Sequence, residues 1–252
     1  MCGRFVAASS PTLLAERFHV EEQRATDGEP DYNVAPRTEI LTVRDRPGPD
    51  HPTRVLSRLR WGLVPTWADD PSIGDRMINA RAETVLTKPA YRRSFAKRRC
   101  IIPADGFYEW RRLPAAPGAS TGGKEPTFIR RRDGEPLAFA GLWSVWKVPD
   151  HLAGTVGGDD GWLRTCAIVT TRANDLLAPI HDRMPVVLPE VAWDRWLDPR
   201  SDASAAELRG LSDLLVPAPD DWFELYAVSP RVNQAVDHDA ALIRPVGETA
   251  LP

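Results

Sequence analysis

With 252 residues, 42 % of them hydrophobic, the chain can bury a full core without staples, as one large domain or two small ones. Three cysteines, far apart and without a C-x-x-C or C-x-x-H partner, argue against a disulfide framework and a zinc site, and the lack of any apolar run of about 18 residues argues against a membrane span. A net charge of −3 alone argues against a nucleic-acid binder, yet residues 76–132 hold fourteen Lys/Arg against four Asp/Glu, and residues from 190 onward hold twelve acids against five bases.

That asymmetry suits one basic face for a polyanion, because phosphate neutralisation releases counterions. A solvated arginine-rich surface accounts for it equally. The start of the chain carries no basic stretch followed by an apolar run, so the expected location is cytoplasmic. Residues 2–6 are apolar and strand-compatible, and Ser9, Ser10 and Pro11 then lead into a helix-like stretch at 13–18. Residues 32–37, with Pro36, read as a loop. Short β-rich runs follow at 40–43, 55–61, 100–102, 107–110, 127–130, 138–143, 166–170 and 186–188, and helices are predicted at 88–95, 191–196 and 203–215. Residues 114–125 and 149–161, small and polar, read as mobile surface loop insertions. With 24 prolines, 17 glycines and no repeat or linker, the expectation is one domain over 1–252 with a β-rich, barrel-like core and helices outside.

Cys2 carries the sharpest chemistry. Removal of Met1 would give it a free α-amine beside its thiol, a 1,2-aminothiol. The α-amine titrates at roughly 7.7–8.0 against about 10.4 for lysine, so part of it is nucleophilic at neutral pH and attacks an aldehyde. The thiol then adds to the imine carbon and closes a five-membered thiazolidine. The plain alternative is a small residue after a start codon. Gly3 allows close backbone approach, and Arg4 offers a guanidinium to a phosphate. In RWGLVPTWADD, Pro65 and Trp67 can wedge or stack against unpaired bases, at about 1–3 kcal/mol per base. Most other tryptophans, Trp193 and Trp196 among them, read as packing residues.

In MINARAET an extended strand turns Asn79, Arg81 and Glu83 to one face, a grouping that an ordinary half-solvated strand also produces. Glu109, between Tyr108 and Trp110, is either an outward acid or a desolvated carboxyl with a raised pKa suited to acid/base work. His181, in the proline-flanked APIHDRMP, is either structural or a proton carrier for a sugar oxygen, with Arg183 two residues on as a phosphate anchor. Thr170 and Thr171 are weaker candidates for hydrogen-bond donors.

Together MCGRF, YNVAPR, RWGLVPTW, INARAET, CIIPADGFYEW, FAGLW, TTRAND and IHDRMPVVL resemble, in order and spacing, the SRAP (SOS response-associated peptidase) family over roughly residues 2–190, with weaker similarity to about Val246. The resemblance implies an α+β SRAP fold, a β-rich barrel-like core of mostly antiparallel strands with flanking helices, and a positive DNA cleft. It implies that Cys2 crosslinks the ring-opened sugar of an abasic site in single-stranded DNA, including single/double-strand junctions, without cofactor or metal. Asn79 would hold the N-terminus and sugar, Glu109 would orient or deprotonate the amine, and His181 would serve as acid/base in ring opening and reversal. Arg4, Arg81 and Arg183 would bind flanking phosphates, and Pro65 and Trp67 the bases. Autopeptidase and abasic-site lyase activities belong to the same expectation, as does a bacterial, nucleoid-associated location.

Two rivals remain at this level. An N-terminal-nucleophile hydrolase of the glutamine amidotransferase type also presents Cys-Gly at its start, but leaves the Glu109 and His181 motifs unexplained. A non-catalytic DNA-binding module would bind reversibly and be indifferent to Cys2→Ala.

Overall fold

Leu41, Val43, Leu56, Ile101, Ala140, Leu142, Ala167 and Val169 lie in one apolar cluster, whereas Ile40, Leu59, Cys100, Ile102, Cys166 and Ile168 lie in another. Successive residues of a strand face opposite ways, so this division marks the two faces of one sheet. The computed structural model describes residues 2–114, 122–157, 160–199 and 204–247. In chain order it contains β1 (Phe5–Ala7), α1 (Pro11–Arg17), β2 (Glu22–Gln23), β3 (Asp31–Val34), β4 (Glu39–Arg46), β5 (Thr53–Trp61), β6 (Asn79–Arg81), α2 (Pro89–Lys97), β7 (Arg99–Ala104) and β8 (Gly106–Arg112). There follow β9 (Lys124–Arg131), β10 (Leu137–Lys147), β11 (Trp162–Arg172), β12 (Arg183–Pro185), α3 (Trp193–Leu197), α4 (Ala205–Ser212) and β13 (Phe223–Ala227).

Strands β11, β10, β7, β4 and β5 pair in that order, and a parallel contact of Thr165 with Arg60 and of Cys166 with Trp61 joins the ends. The result is a five-stranded mixed barrel, with β2, β6 and β12 added to its rim. A second, antiparallel sheet in the order β13-β9-β8-β1-β3 packs its Phe5 and Phe107 rings edge-on against Phe139 of the barrel, at centroid distances of 6.4 and 5.8 Å. The expected β-rich barrel with outer helices is therefore the observed architecture.

The helices cover the outer face for local reasons. Ser10 accepts from the Leu13 N–H and Pro11 fills the first position of α1, while Ser204 and Glu207 form a capping box on α4. Phe95 of α2 meets Trp196 of α3 at 6.0 Å, and Phe18, just after α1, meets Trp193 at 4.6 Å. Buried Arg99 ties the set together, donating to the carbonyls of Phe95, Ala96, Trp196 and Asp198. No helix among the described residues is long and apolar enough to cross a membrane.

Two readings need correction. Residues 31–34 are strand β3, not loop, because Val34 and Asp31 pair with Phe5 and Ala7 before Pro36 interrupts the chain. Strand β6 ends at Arg81, and Glu83 lies in a 3-10 turn, Ala82–Thr84, so Asn79, Arg81 and Glu83 do not form one strand face. Of the loop at 114–125, residues 115–121 lie outside the described residues, and Lys124 and Glu125 already belong to β9. The loop at 149–161 holds a short 3-10 turn, Asp150–Leu152, and its residues 158 and 159 lie outside the described residues.

Gly106 begins β8 where the backbone passes directly over an aromatic ring. A Cβ there would sit 2.3 Å from the Phe128 ring and 2.8 Å from the Ile129 carbonyl oxygen. Gly106→Ala should destabilise the protein by about 1–3 kcal/mol, read as a lower urea midpoint with an unchanged slope.

Candidate active site

Strand β6 is only three residues long, yet several contacts fix it. It runs parallel to β11, with Asn79 beside Ile168 and Arg81 beside Thr170. The Trp61 indole donates to the Ile78 carbonyl at 2.9 Å, and the Tyr91 hydroxyl donates to the Asn79 carbonyl at 3.0 Å. Held in this way, Asn79 donates from Nδ2 to the Cys2 carbonyl at 2.8 Å. Its Oδ1 is buried and without a hydrogen-bond partner among the described residues. Half of the amide thus holds residue 2, and the other half is unspent.

Strand β1 carries Cys2 toward β8. Phe5 pairs with Phe107, and the Tyr108 N–H donates to the Arg4 carbonyl at 3.0 Å, so residues 2–4 run past Glu109. Cys2 has no exposed surface, and the Arg4 backbone N–H donates to its thiol. Burial pushes the thiol well above the usual cysteine range, and the Glu109 charge adds to the rise. Glu109 is 4 % exposed and stands opposite Thr127 of β9. Burial raises its pKa, against the opposing pull of the chain's amino-terminal charge and of His181.

His181 follows a turn in which its own N–H donates to the Leu177 carbonyl at 3.0 Å. Its Nδ1 lies 3.0 Å from the Arg183 N–H and 2.9 Å from an Asp182 carboxylate oxygen. The neutral ring accepts from the backbone, and the charged ring donates to Asp182. The side chain is about one-third open, at 32 %. Four residues far apart in sequence, Cys2, Asn79, Glu109 and His181, therefore meet through direct contacts or shared fields. An open groove of about 430 Å³ beside them is lined by Thr127, Ile180, Arg111 and Tyr226.

The basic and aromatic candidates fall into different situations. Arg81 is exposed at the end of β6. Arg4 is half-buried and donates to Asn33 Oδ1 at 2.6 Å and to the Val232 carbonyl at 2.9 Å. Arg183 is bidentate to Glu83, at 2.8 and 3.1 Å, and also donates to the Thr170 carbonyl. Trp67 is 57 % exposed, whereas Pro65 is buried. Both border a groove of about 270 Å³ with Arg92, Arg93 and Arg98.

Two supporting residues escaped the sequence reading. Asn33, fully buried, bridges Arg4 to the carbonyls of Gln234 and Asp237. Tyr91 fixes the Asn79 backbone from α2. Asn33 lies within YNVAPR, so a polar residue inside an apolar motif was the available signal; Tyr91 offered none.

A family model described as SOS response associated peptidase (SRAP) matches residues 1–235. The chain is 41 % identical over 245 residues to the abasic site processing protein YoqW of Bacillus subtilis (strain 168), covering 96 % of this chain and 99 % of that one. It is 33 % identical over 254 residues to the abasic site processing protein YedK of Escherichia coli (strain K12), covering 98 % and 100 %. A crystal structure from Bordetella bronchiseptica, 27 % identical, superposes with a TM-score of 0.67 over 90 % of this chain and all of the other. One from Bacteroides thetaiotaomicron, 24 % identical, shares the fold with a TM-score of 0.75 over 97 % of this chain.

Proposed function

The chain belongs to the SRAP family, and from that premise we propose that it binds single-stranded DNA and captures abasic sites covalently through Cys2 once Met1 is removed. The observation that carries this reading is the meeting of Asn79 and a buried Glu109 at residue 2. Relatives that align over nearly their whole length bear the name abasic site processing protein.

The chemistry follows from the order in which the two nucleophiles are ready. A buried thiol with a raised pKa stays protonated, so the amine acts first. The ring-opened sugar presents an aldehyde; the amine adds to it, and loss of water leaves an imine. Sulfur then bonds to the same carbon, its proton passes to nitrogen, and the ring closes. Glu109 takes the proton from the α-ammonium of residue 2 and so frees the amine to attack, Asn79 holds residue 2 in register, and His181 exchanges protons with the sugar oxygen. Arg81 meets a flanking phosphate directly, while Arg4 and Arg183, already hydrogen-bonded, add positive field. Autopeptidase action before Cys2 and strand cleavage by β-elimination belong to the same proposal.

Incubation with a single-stranded oligonucleotide carrying one abasic site tests it. The expected product survives denaturing electrophoresis and has the mass of the demethionylated protein plus DNA less one water. Complexes that dissolve in denaturant, with no such mass, would sink the covalent reading.

Trp67 supplies a separate check on DNA contact. Loss of one stacked base weakens binding by about 1–3 kcal/mol, or roughly 5- to 150-fold. Trp67→Ala should therefore raise the Kd for undamaged single-stranded DNA by that factor in a fluorescence-anisotropy titration, with an unaltered melting temperature.

A further inference from the structure

Away from the Cys2 site, the barrel interior ends in a guanidinium that makes no ion pair among the described residues. Val43 and Leu56 face the helices, so alternation turns Arg44 of β4 and Ser57 of β5 inward. Leu142 likewise faces out and Trp143 in, and Arg164 shares the inner face of β11 with Cys166. Arg44 is only 9 % exposed, with its carbon 4.9 Å from the centroid of the Trp143 ring. Arg98 lies over the same ring at 5.4 Å.

Among the described residues no carboxylate is in ion-pair contact with Arg44. It makes no ion pair or side-chain hydrogen bond, and its Nε is buried without a partner. The Ser57 hydroxyl, 8 % exposed, is also buried without a partner. Burial and the like charges of Arg24, Arg46 and Arg164 disfavour the Arg44 charge, while Glu22 and the Cys100 thiol act on it only at a distance. The nearby carboxylates are already engaged: Glu22 by Arg24 and Arg46, and Asp160 by Arg164 at 2.6 Å. A buried, unpaired charge among like charges is unfavourable unless an anion joins it.

We infer that Arg44, Ser57 and Trp143, ringed by Arg24, Arg46, Arg98 and Arg164, form a binding site for a phosphate-type oxyanion at the end of the barrel. The planar fork of arginine matches two oxygens of such a group, the Nε–H and the Ser57 hydroxyl supply further donors, and stacking on Trp143 holds the fork in place. Free inorganic phosphate and a phosphate of bound DNA offer the same chemistry.

The test uses the full chain, with sodium phosphate titrated against sodium chloride at matched ionic strength. At about five times its Kd, phosphate should raise the melting temperature by about 2–4 °C beyond chloride, and shift the Arg44 Nε–H resonance. Arg44→Met keeps the packing on Trp143 and should lose the phosphate-specific rise. Should that variant fail to fold, Ser57→Ala should still weaken phosphate about tenfold, the loss of one hydrogen bond. Equal effects of phosphate and chloride on the parent protein, or a full phosphate response in Arg44→Met, would overturn the site. Binding of an undamaged oligonucleotide distinguishes the sources, independently of Cys2 chemistry. Unchanged affinity in Arg44→Met assigns the site to free phosphate, and reduced affinity relieved by added phosphate assigns it to the DNA.

Discussion

Cys2→Ser protein, incubated with abasic single-stranded DNA, should give no complex that survives denaturing electrophoresis, whereas the parent protein converts the oligonucleotide to a shifted band. The reason lies in which bonds each side chain can make. Serine retains the α-amine once Met1 is removed, so imine formation proceeds as before. Its hydroxyl is a far weaker nucleophile than sulfur, and the imine it leaves open returns to amine and aldehyde in water. Borohydride added during the reaction should therefore restore a covalent band in Cys2→Ser, because reduction fixes the carbon–nitrogen bond. The raised thiol pKa makes the same point from the other side: a protonated, buried thiol is poorly suited to lead the attack. A stable adduct in Cys2→Ser without reductant, or none in Cys2→Ser even with it, would defeat the amine-first scheme. The first outcome would move the crosslink to another residue, and the second would leave the amine out of the chemistry.

The barrel strands were readable because each is a local run of apolar and β-branched residues, as in 40–43 and 166–170. The parallel contact that closes the barrel, Thr165 to Arg60 and Cys166 to Trp61, joins segments over a hundred residues apart and leaves no local trace. Strand β3 was hidden by Pro36, which marks the end of the pairing rather than its absence. At the candidate site, residue type and motif suggested Cys2, Asn79, Glu109 and His181, and the fold brings these four together. What the sequence could not say is which side chains are already engaged. Arg183 and Arg4 read as free phosphate ligands until Glu83, Asn33 and Val232 are found on them. Arg44 is the converse, an ordinary strand arginine in sequence whose buried, unpartnered Nε shows only in three dimensions.

Glu109→Gln should slow capture of the abasic site by about 10²- to 10⁴-fold, the usual contribution of a positioned acid or base. The amide keeps the shape of the carboxyl but takes no proton from the ammonium of residue 2. The pH profile gives the sharper reading. Burial holds the Glu109 pKa above the ordinary glutamate range, so in the parent the rate should climb with pH as this carboxyl ionises, later than an exposed glutamate would. Glu109→Gln should lose that limb and retain only the rise due to the amine itself. Stability should move the opposite way. A carboxyl whose folded pKa is raised favours the folded state below its unfolded pKa, and that advantage is lost as pH rises through the folded value. Above that window, Glu109→Gln should melt no lower than the parent, and higher if the buried carboxylate is the dominant strain; below the window the difference should shrink. Slow capture with undiminished stability is what separates a residue poised for proton transfer from one that merely supports the strand. A Glu109→Gln protein that melts well below the parent at neutral pH, with a capture rate falling only in proportion to the folded fraction, would reduce Glu109 to a packing role.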